Sequence, residues 1–185
     1  MKKTVIWITG LSGAGKTTVA KSLEAKLKTE NVKVGLLDGD EVRNYLVENK
    51  GRAYGFSIEE RKTFVNNVIY MARNMLEFQA AEVVIVALIS PLKEMRSNAR
   101  DILTKYSNAN FIEVYLDVPV DICEHRDPKG LYAKARAGEI TNFTGIDSIY
   151  EPAVNAEVII PFNYTVEHAT EMVYNAIYEE NSTSN

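Results

Sequence analysis

The sequence predicts an α/β fold in which a central parallel sheet is covered by helices on both faces, giving a three-layer sandwich. Three observations carry this prediction. Short apolar segments alternate with amphipathic helical ones along the chain, the apolar segments lack a regular in-out pattern, and the connections are short. Near-continuous apolar strands belong to parallel sheets buried on both faces. Strand and helix in strict alternation imply right-handed crossovers and a ligand face at the carboxyl ends of the strands.

The first strand is Val5–Thr9, and the same character recurs at Val34–Leu37, Val83–Leu88, Phe111–Leu116 and Glu157–Ile160. Helical segments are expected at Lys16–Lys28, from near Glu41, and at Ser57–Gln79, where Ser57 and Glu60 have the spacing of a capping box. Further helices are expected at Pro91–Lys105, with Pro91 suited to a first turn, at Val120–Ala137 with a break near Pro128, and at Val166–Glu179. One domain over residues 1–178 follows, with 179–185 as a disordered tail. Two long irregular stretches remain, Gly51–Gly55 and Gly138–Glu151, and the second is expected to be a mobile lid.

Composition narrows the function. The 185 residues are 46% hydrophobic and 25% charged, which is ordinary for a globular domain, and no apolar run reaches the roughly 20 residues of a bilayer span. Cys123 is the only cysteine, so no internal disulfide or cysteine metal cage forms. The net charge is −4 with basic and acidic residues intermixed, which argues against a nucleic-acid footprint. Met1-Lys2-Lys3 has the basic start of a secretory signal, but a glycine-rich loop stands where a cleavage site would be; a cytoplasmic protein is expected.

That loop, Gly10-Leu11-Ser12-Gly13-Ala14-Gly15-Lys16-Thr17-Thr18, follows a strand and opens a helix. Its glycines allow the backbone amides to turn inward, and the helix N-terminus attracts anionic oxygens. Lys16 would reach the β- and γ-phosphates and Thr17 would ligate Mg²⁺. The architecture is therefore of the P-loop NTPase type.

Other chemistry-bearing residues fall at the same edge. Asp38 and Asp40 end the second strand, where residues two apart in an extended chain face one side. One would accept a hydroxyl proton and the other would hold a Mg²⁺-bound water, with helix capping as the alternative role for either. Arg43 and Arg61 would grip an anionic substrate, each through paired donors. Ile89 and Ser90 close the third strand, Ser90 as substrate contact or as helix cap. Arg126, Lys129, Lys134 and Arg136 place four cations in eleven residues around Pro128 and Gly130. Lys129 in a lid would neutralise charge on a transferring phosphoryl group. Phe56 and Phe143 would stack on the two faces of a base, or else pin their loops to the core. His125 and His168 have no metal-pairing spacing and receive no role.

Together these motifs resemble the adenylylsulfate kinase family. The likeness rests on the phosphate loop, Leu37-Asp38-Gly39-Asp40 with Arg43, Gly55-Phe56-Ser57 with Arg61, and Ile89-Ser90-Pro91. It is completed by Cys123–Tyr132, Lys134-Ala135-Arg136, Phe143–Asp147 and Tyr150-Glu151-Pro152, so that it runs from about Ile6 to Pro152. The resemblance implies MgATP-dependent phosphorylation of the ribose 3′-hydroxyl of adenosine 5′-phosphosulfate, giving 3′-phosphoadenosine 5′-phosphosulfate and ADP. It implies that Phe56 and Phe143 sandwich the acceptor base, that Arg43 and Arg61 hold its 5′-phosphosulfate, and that the protein is a homodimer. Asp40 is read as the base, with Asp38 as the competing candidate and, with Thr17, a Mg²⁺ ligand; Arg126 is assigned to the donor nucleotide. Ser90 matches the family's phosphorylatable serine, but direct in-line transfer needs no such intermediate and Ser90 is read as a substrate contact. Where the family has Asn-Ile-Arg-Arg, this chain has Phe64-Val65-Asn66-Asn67, so Phe64 stands at an acceptor contact. Leu92 and Lys93 replace an aromatic and an arginine, and Ser148-Ile149-Tyr150-Glu151 replaces Ser-Pro-Tyr-Glu. These departures leave cytidine diphosphoramidate, a substrate of capsule modification, as an alternative acceptor; a catalytically decayed nucleotide-binding subunit is an alternative class, against which the intact Lys16, Thr17, Asp38 and Asp40 speak.

Overall fold

The structure is a computed structural model that describes residues 2–50 and 55–182. Its sheet has five strands, β1 (Thr4–Thr9), β2 (Val34–Asp38), β3 (Val83–Ala87), β4 (Asn110–Asp117) and β5 (Val158–Pro161), all parallel in the order β2-β3-β1-β4-β5. The helices are α1 (Lys16–Thr29), α2 (Gly39–Lys50), α3 (Ile58–Glu77), α4 (Lys93–Ser107), α5 (Val120–Arg126), α6 (Leu131–Arg136) and α7 (Val166–Ser182). None is long and apolar enough to cross a membrane among the described residues.

The even and odd residues of each central strand enter different cores. Ile6 and Ile8 of β1, Val83 and Ile85 of β3 and Ile112 and Val114 of β4 pack with Leu23 and Leu27 of α1 and Val173 and Ile177 of α7. Val5, Trp7, Val84, Val86 and Phe111 pack on the other side with Val65, Val68 and Ile69 of α3 and Ala99 and Leu103 of α4. Burial on both faces is why these strands read as continuous apolar runs.

The break expected near Pro128 does form, dividing 120–137 into two helices, because Asp127 leaves helical geometry (φ 20°) and its carboxylate caps α6 through the amides of Tyr132 at 3.1 Å and Ala133 at 3.0 Å. Several expectations are corrected at element ends. Pro91 is not a first-turn residue: α4 starts at Lys93 with Leu92 as N-cap, so Ser90 does not cap it. The terminal tail is helical to Ser182, because α7 continues there, and 183–185 lie outside the described residues. Of the irregular stretch Gly51–Gly55, residues 51–54 also lie outside them. The capping box at Ser57 and Glu60 forms as its spacing predicts.

The strand order explains where a ligand can sit. From β1 the chain passes over β3 to reach β2, whereas from β3 it passes over β1 to reach β4. The connections after β1 and β3 therefore leave in opposite directions, opening a crevice at their carboxyl ends.

Candidate active site

A cavity of about 580 Å³ fills that crevice, and its walls contain Ser12 to Thr18 of the phosphate loop, Arg126 and Lys129 of the α5–α6 segment, and Asp40, Arg43, Phe56, Arg61, Phe64, Ile89, Ser90 and Phe143. Chain segments far apart in sequence thus converge at one edge of the sheet. Gly10 and Leu11 are not in the wall; their carbonyls instead hold the Lys16 ammonium, at 3.0 and 2.7 Å. Asp38 also lies behind the wall.

Two glycines are required by the loop's path. Gly13 has φ +76°, and a Cβ there would meet the Cys123 carbonyl oxygen at 3.1 Å; Gly15, at φ +102°, turns the chain into α1. Both conformations are costly for side-chain-bearing residues. The resulting loop exposes the N-terminus of α1 with no side-chain cap, as an anion seat requires. Burial pushes the Lys16 amine down to about 8, against the opposing pull of Asp40.

The two aspartates have separate jobs. Asp38 is buried; its Oδ2 accepts the Thr17 hydroxyl proton at 2.5 Å and its Oδ1 accepts the amide of Asp40 at 2.9 Å and, more weakly, that of Glu41 at 3.4 Å. It caps α2 and orients Thr17 together. Asp40 belongs to the first turn of α2 rather than to an extended strand, so the expected side-by-side projection of the pair does not occur. Its carboxylate is instead exposed in the cavity wall and ion-paired with Lys129, 89 positions away. The hydroxyl of Thr17 and the carboxylate of Asp38 are hard oxygen donors beside a phosphate seat, which fits Mg²⁺, an ion that takes one or two protein oxygens and completes its shell with water and phosphate.

Arg61 ties two segments of the site together. It is 6% exposed, and its guanidinium donates to the Phe56 carbonyl at 2.7 Å, the Thr144 hydroxyl at 2.5 Å and the Asn142 carbonyl at 2.5 Å. Those bonds tie the start of α3 to the 142–144 loop and use three of the guanidinium's five N–H donors, while Arg61 also stands in the cavity wall. Phe143, also in the cavity wall, is 3% exposed and meets Tyr132 edge to face at 4.9 Å, while Phe56 has the guanidiniums of Arg43 and Arg61 at 5.3 and 5.6 Å. The loop expected to be a mobile lid is thereby anchored by buried Phe143 and Thr144, and again by the Tyr150 hydroxyl on Thr9 at 3.0 Å. Lys129 lies outside that loop, in the turn between α5 and α6, with its side chain half-exposed.

Sequence reasoning missed a polar network beneath Ser90. The Trp7 indole N–H donates to Ser90 Oγ at 3.0 Å, Ser90 Oγ donates on to Thr9 Oγ1 at 3.4 Å, and the Arg96 guanidinium holds the Ser90 carbonyl at 2.9 Å. Arg96 also bonds Glu113 at 2.7 Å and the Glu151 carbonyl at 2.8 Å. These partners fix Ser90 at a positive φ of 36°, a strained value for a residue with a side chain. Trp7 and Thr9 read locally as strand residues; no signal in their neighbourhood marks them. Missed too were Phe162, Tyr164 and Thr165, which follow β5 and line the cavity. Their position at a strand's carboxyl end was the available signal.

Comparison with known proteins agrees with this geometry. The model of the adenylylsulphate kinase family matches residues 2–161. The chain is 50% identical over 154 residues to the adenylyl-sulfate kinase of Klebsiella pneumoniae, covering 83% of this chain and 72% of the relative. It is 44% identical over 176 residues to that of Erwinia tasmaniensis, covering 95% and 83%. Among solved structures, the Mycobacterium tuberculosis APS kinase in complex with AMPPNP and APS superposes with a TM-score of 0.84 at 36% identity, over 96% of this chain and 98% of that one. With the family's match spanning the phosphate loop, both aspartates and the lid, the chain belongs to the adenylylsulphate kinase family.

Proposed function

We propose that this chain transfers the γ-phosphoryl group of ATP to the ribose 3′-hydroxyl of adenosine 5′-phosphosulfate. One observation supports the reading above the others. Asp40 and Lys129 are ion-paired in the wall of the cavity that Lys16, Arg43, Phe64 and Ser90 also line, so a carboxylate and a cation share one cavity with the phosphate loop and an arginine.

In this reading the amides of the phosphate loop and Lys16 hold the β- and γ-phosphates, and Arg126 and Thr18 line the donor's path. Thr17 and Asp38 would hold Mg²⁺, which when bound neutralises charge on the phosphate oxygens. Ile89 and Ser90 bound the acceptor, and Phe56 and Phe143 contribute to the seat of its base. The Asp40 carboxylate accepts the 3′-hydroxyl proton as that oxygen bonds to the γ-phosphorus; the bond to the β,γ-bridging oxygen breaks, and ADP leaves with the electron pair. Lys129, released from Asp40 when the acceptor arrives, then offsets charge on the phosphoryl group. The reading includes a single catalytic unit over 1–178, a cytoplasmic location and a homodimer.

A second reading has its own observation. Phe64 is buried where an amide would be expected to contact the acceptor, which favours a different 5′-modified nucleotide, cytidine diphosphoramidate, with the same 3′-chemistry. Purified protein incubated with MgATP and each acceptor at equal concentration, with ADP and phosphorylated nucleotide quantified by chromatography, separates the two. Faster turnover of the adenosine compound supports the first reading, faster turnover of the cytidine compound replaces it, and no product from either leaves a nucleotide-binding subunit. In the active pair, Asp40→Asn should lower kcat by about 10²-fold or more while moving the Kd for ATP little. Unchanged turnover would remove Asp40 as the base.

A further inference from the structure

The acceptor end of the cavity holds a stack of arginine and phenylalanine side chains. The Arg43 guanidinium carbon lies 4.5 Å from the centre of the Phe64 ring and 5.3 Å from that of Phe56. All three residues line the cavity. Phe64 is set in the second turn of α3, 4% exposed, within the core formed with Val65, Val68 and Met95. Its ring is therefore held by packing. Phe56 is held independently, because the capping box ties its turn to α3 and Arg61 grips its carbonyl.

Arg43 itself comes from a different element, α2, whose start is set by Asp38. A long side chain of this kind carries several rotatable bonds, and its value as an anion donor depends on where the guanidinium plane points. An aromatic face attracts the flat side of a guanidinium and leaves its in-plane N–H edges for hydrogen bonds. Those edges match the oxygens of a phosphate-like group two at a time. Arg61 gives three of its five N–H donors to Phe56, Asn142 and Thr144, and Arg43 donates from Nη1 to the Gly55 carbonyl at 3.4 Å, so the orientation of the Arg43 guanidinium decides which of its remaining donors face the cavity.

We infer that Phe64 is a specificity-determining positioning residue: its buried ring sets the plane of the Arg43 guanidinium so that its N–H edge faces the anionic 5′-substituent of the acceptor nucleotide. The inference rests on the reading of the cavity as a nucleotide-acceptor site, and holds for either acceptor considered above because both carry an anion at the 5′ position. It assigns Phe64 to discrimination between acceptors with and without that charge, and gives it no part in the transfer step.

The test compares Phe64→Leu, which keeps an apolar side chain but removes the ring face, with Phe64→Tyr, which keeps the face. Binding of adenosine 5′-phosphosulfate and of unmodified adenosine is measured by calorimetry in the presence of ADP. Turnover is measured in parallel, with circular dichroism melting to verify folding. Phe64→Leu should weaken binding of the charged nucleotide and raise its KM by about three- to tenfold. The loss for the charged nucleotide should exceed any loss for adenosine, the KM for ATP should move less than that for the charged nucleotide, and Phe64→Tyr should restore the charged nucleotide's affinity. Equal losses for charged and uncharged ligands, or a failure of the tyrosine variant to rescue in a folded protein, would overturn the inference in favour of simple core filling. Selective loss of charged-ligand binding without transfer of phosphate to any acceptor would uphold it and overturn the kinase reading instead.

Discussion

Replacing Ser90 with alanine should destabilise the protein even with no ligand bound, because it strands the indole N–H of Trp7. Trp7 is fully buried, and its Nε1 donates to Ser90 Oγ at 3.0 Å. The backbone strain at Ser90 does not change in the comparison, since alanine has the same Cβ and meets the same limits at φ 36°. Nor does Thr9 lose its footing, because its hydroxyl retains the Ile89 carbonyl at 2.6 Å and the Tyr150 hydroxyl at 3.0 Å. What remains is one buried donor left without an acceptor, which costs about 1–3 kcal/mol. For a chain of this size, that corresponds to a fall in Tm of about 2–12 °C. Circular dichroism melting gives the magnitude, and fluorescence locates it: Trp7 is the only tryptophan, so its emission reports this hydrogen bond directly. In a Trp7→Phe background there is no donor to strand, and Ser90→Ala should then cost close to nothing. A Ser90→Ala cost that is equally large in both backgrounds, or absent in the first, would refute the reasoning.

Two further outcomes follow from the site's electrostatics and from Arg61. Lys16 loses its proton near pH 8 in the ligand-free chain, while triphosphate binding favours the ammonium; ATP affinity should therefore be flat below pH 8 and fall by up to about tenfold per unit above it. The same depressed pKa means that the unfolded chain binds more protons between pH 8 and 10.5, so the contribution of Lys16 to stability rises across that window. Calorimetric ATP titrations from pH 6.5 to about 9.5 test the binding half, and an affinity constant through pH 9 would contradict the assigned state of Lys16. Arg61→Lys cannot reproduce the three bonds to Phe56, Asn142 and Thr144, and should cost about 2–4 kcal/mol while accelerating amide exchange across 142–148. Faster exchange confined to the start of α3, with 142–148 protected as before, would show that Arg61 does not anchor the loop.

Much of the architecture was legible because it is decided over short distances. The apolar runs around Ile6, Val84 and Val114, the glycines at 13 and 15 and the Ser57–Glu60 cap each answer to neighbours within a few positions, and each formed where periodicity or turn chemistry put it. Legibility was poorer where capping and chemistry compete for one residue type. Asp38 reads equally as cap, metal ligand or base, and it is the cap and the partner of Thr17 at once. Pro91 has the right conformation for a first helical turn, but the bonds that hold Ser90 keep the chain out of the helix until Lys93.

The phosphate loop, the alternation of strand and helix and the charge-bearing segments that close on the loop are thus properties of the sequence alone, since local sterics and burial period suffice to specify them. Which side chains meet was decided by the order β2-β3-β1-β4-β5, because it brings the ends of β1 and β3 together and lays α3 against the 142–144 loop. Only then does Asp40 find Lys129, Arg61 tie α3 to the 142–144 loop, and Phe64 come to lie beneath Arg43. Periodicity encodes which face of an element is buried, but not which element will cover it. Residues named in advance for both halves of the site therefore share one cavity, whereas the pairings among them, set by elements distant in sequence, could not be read from the chain.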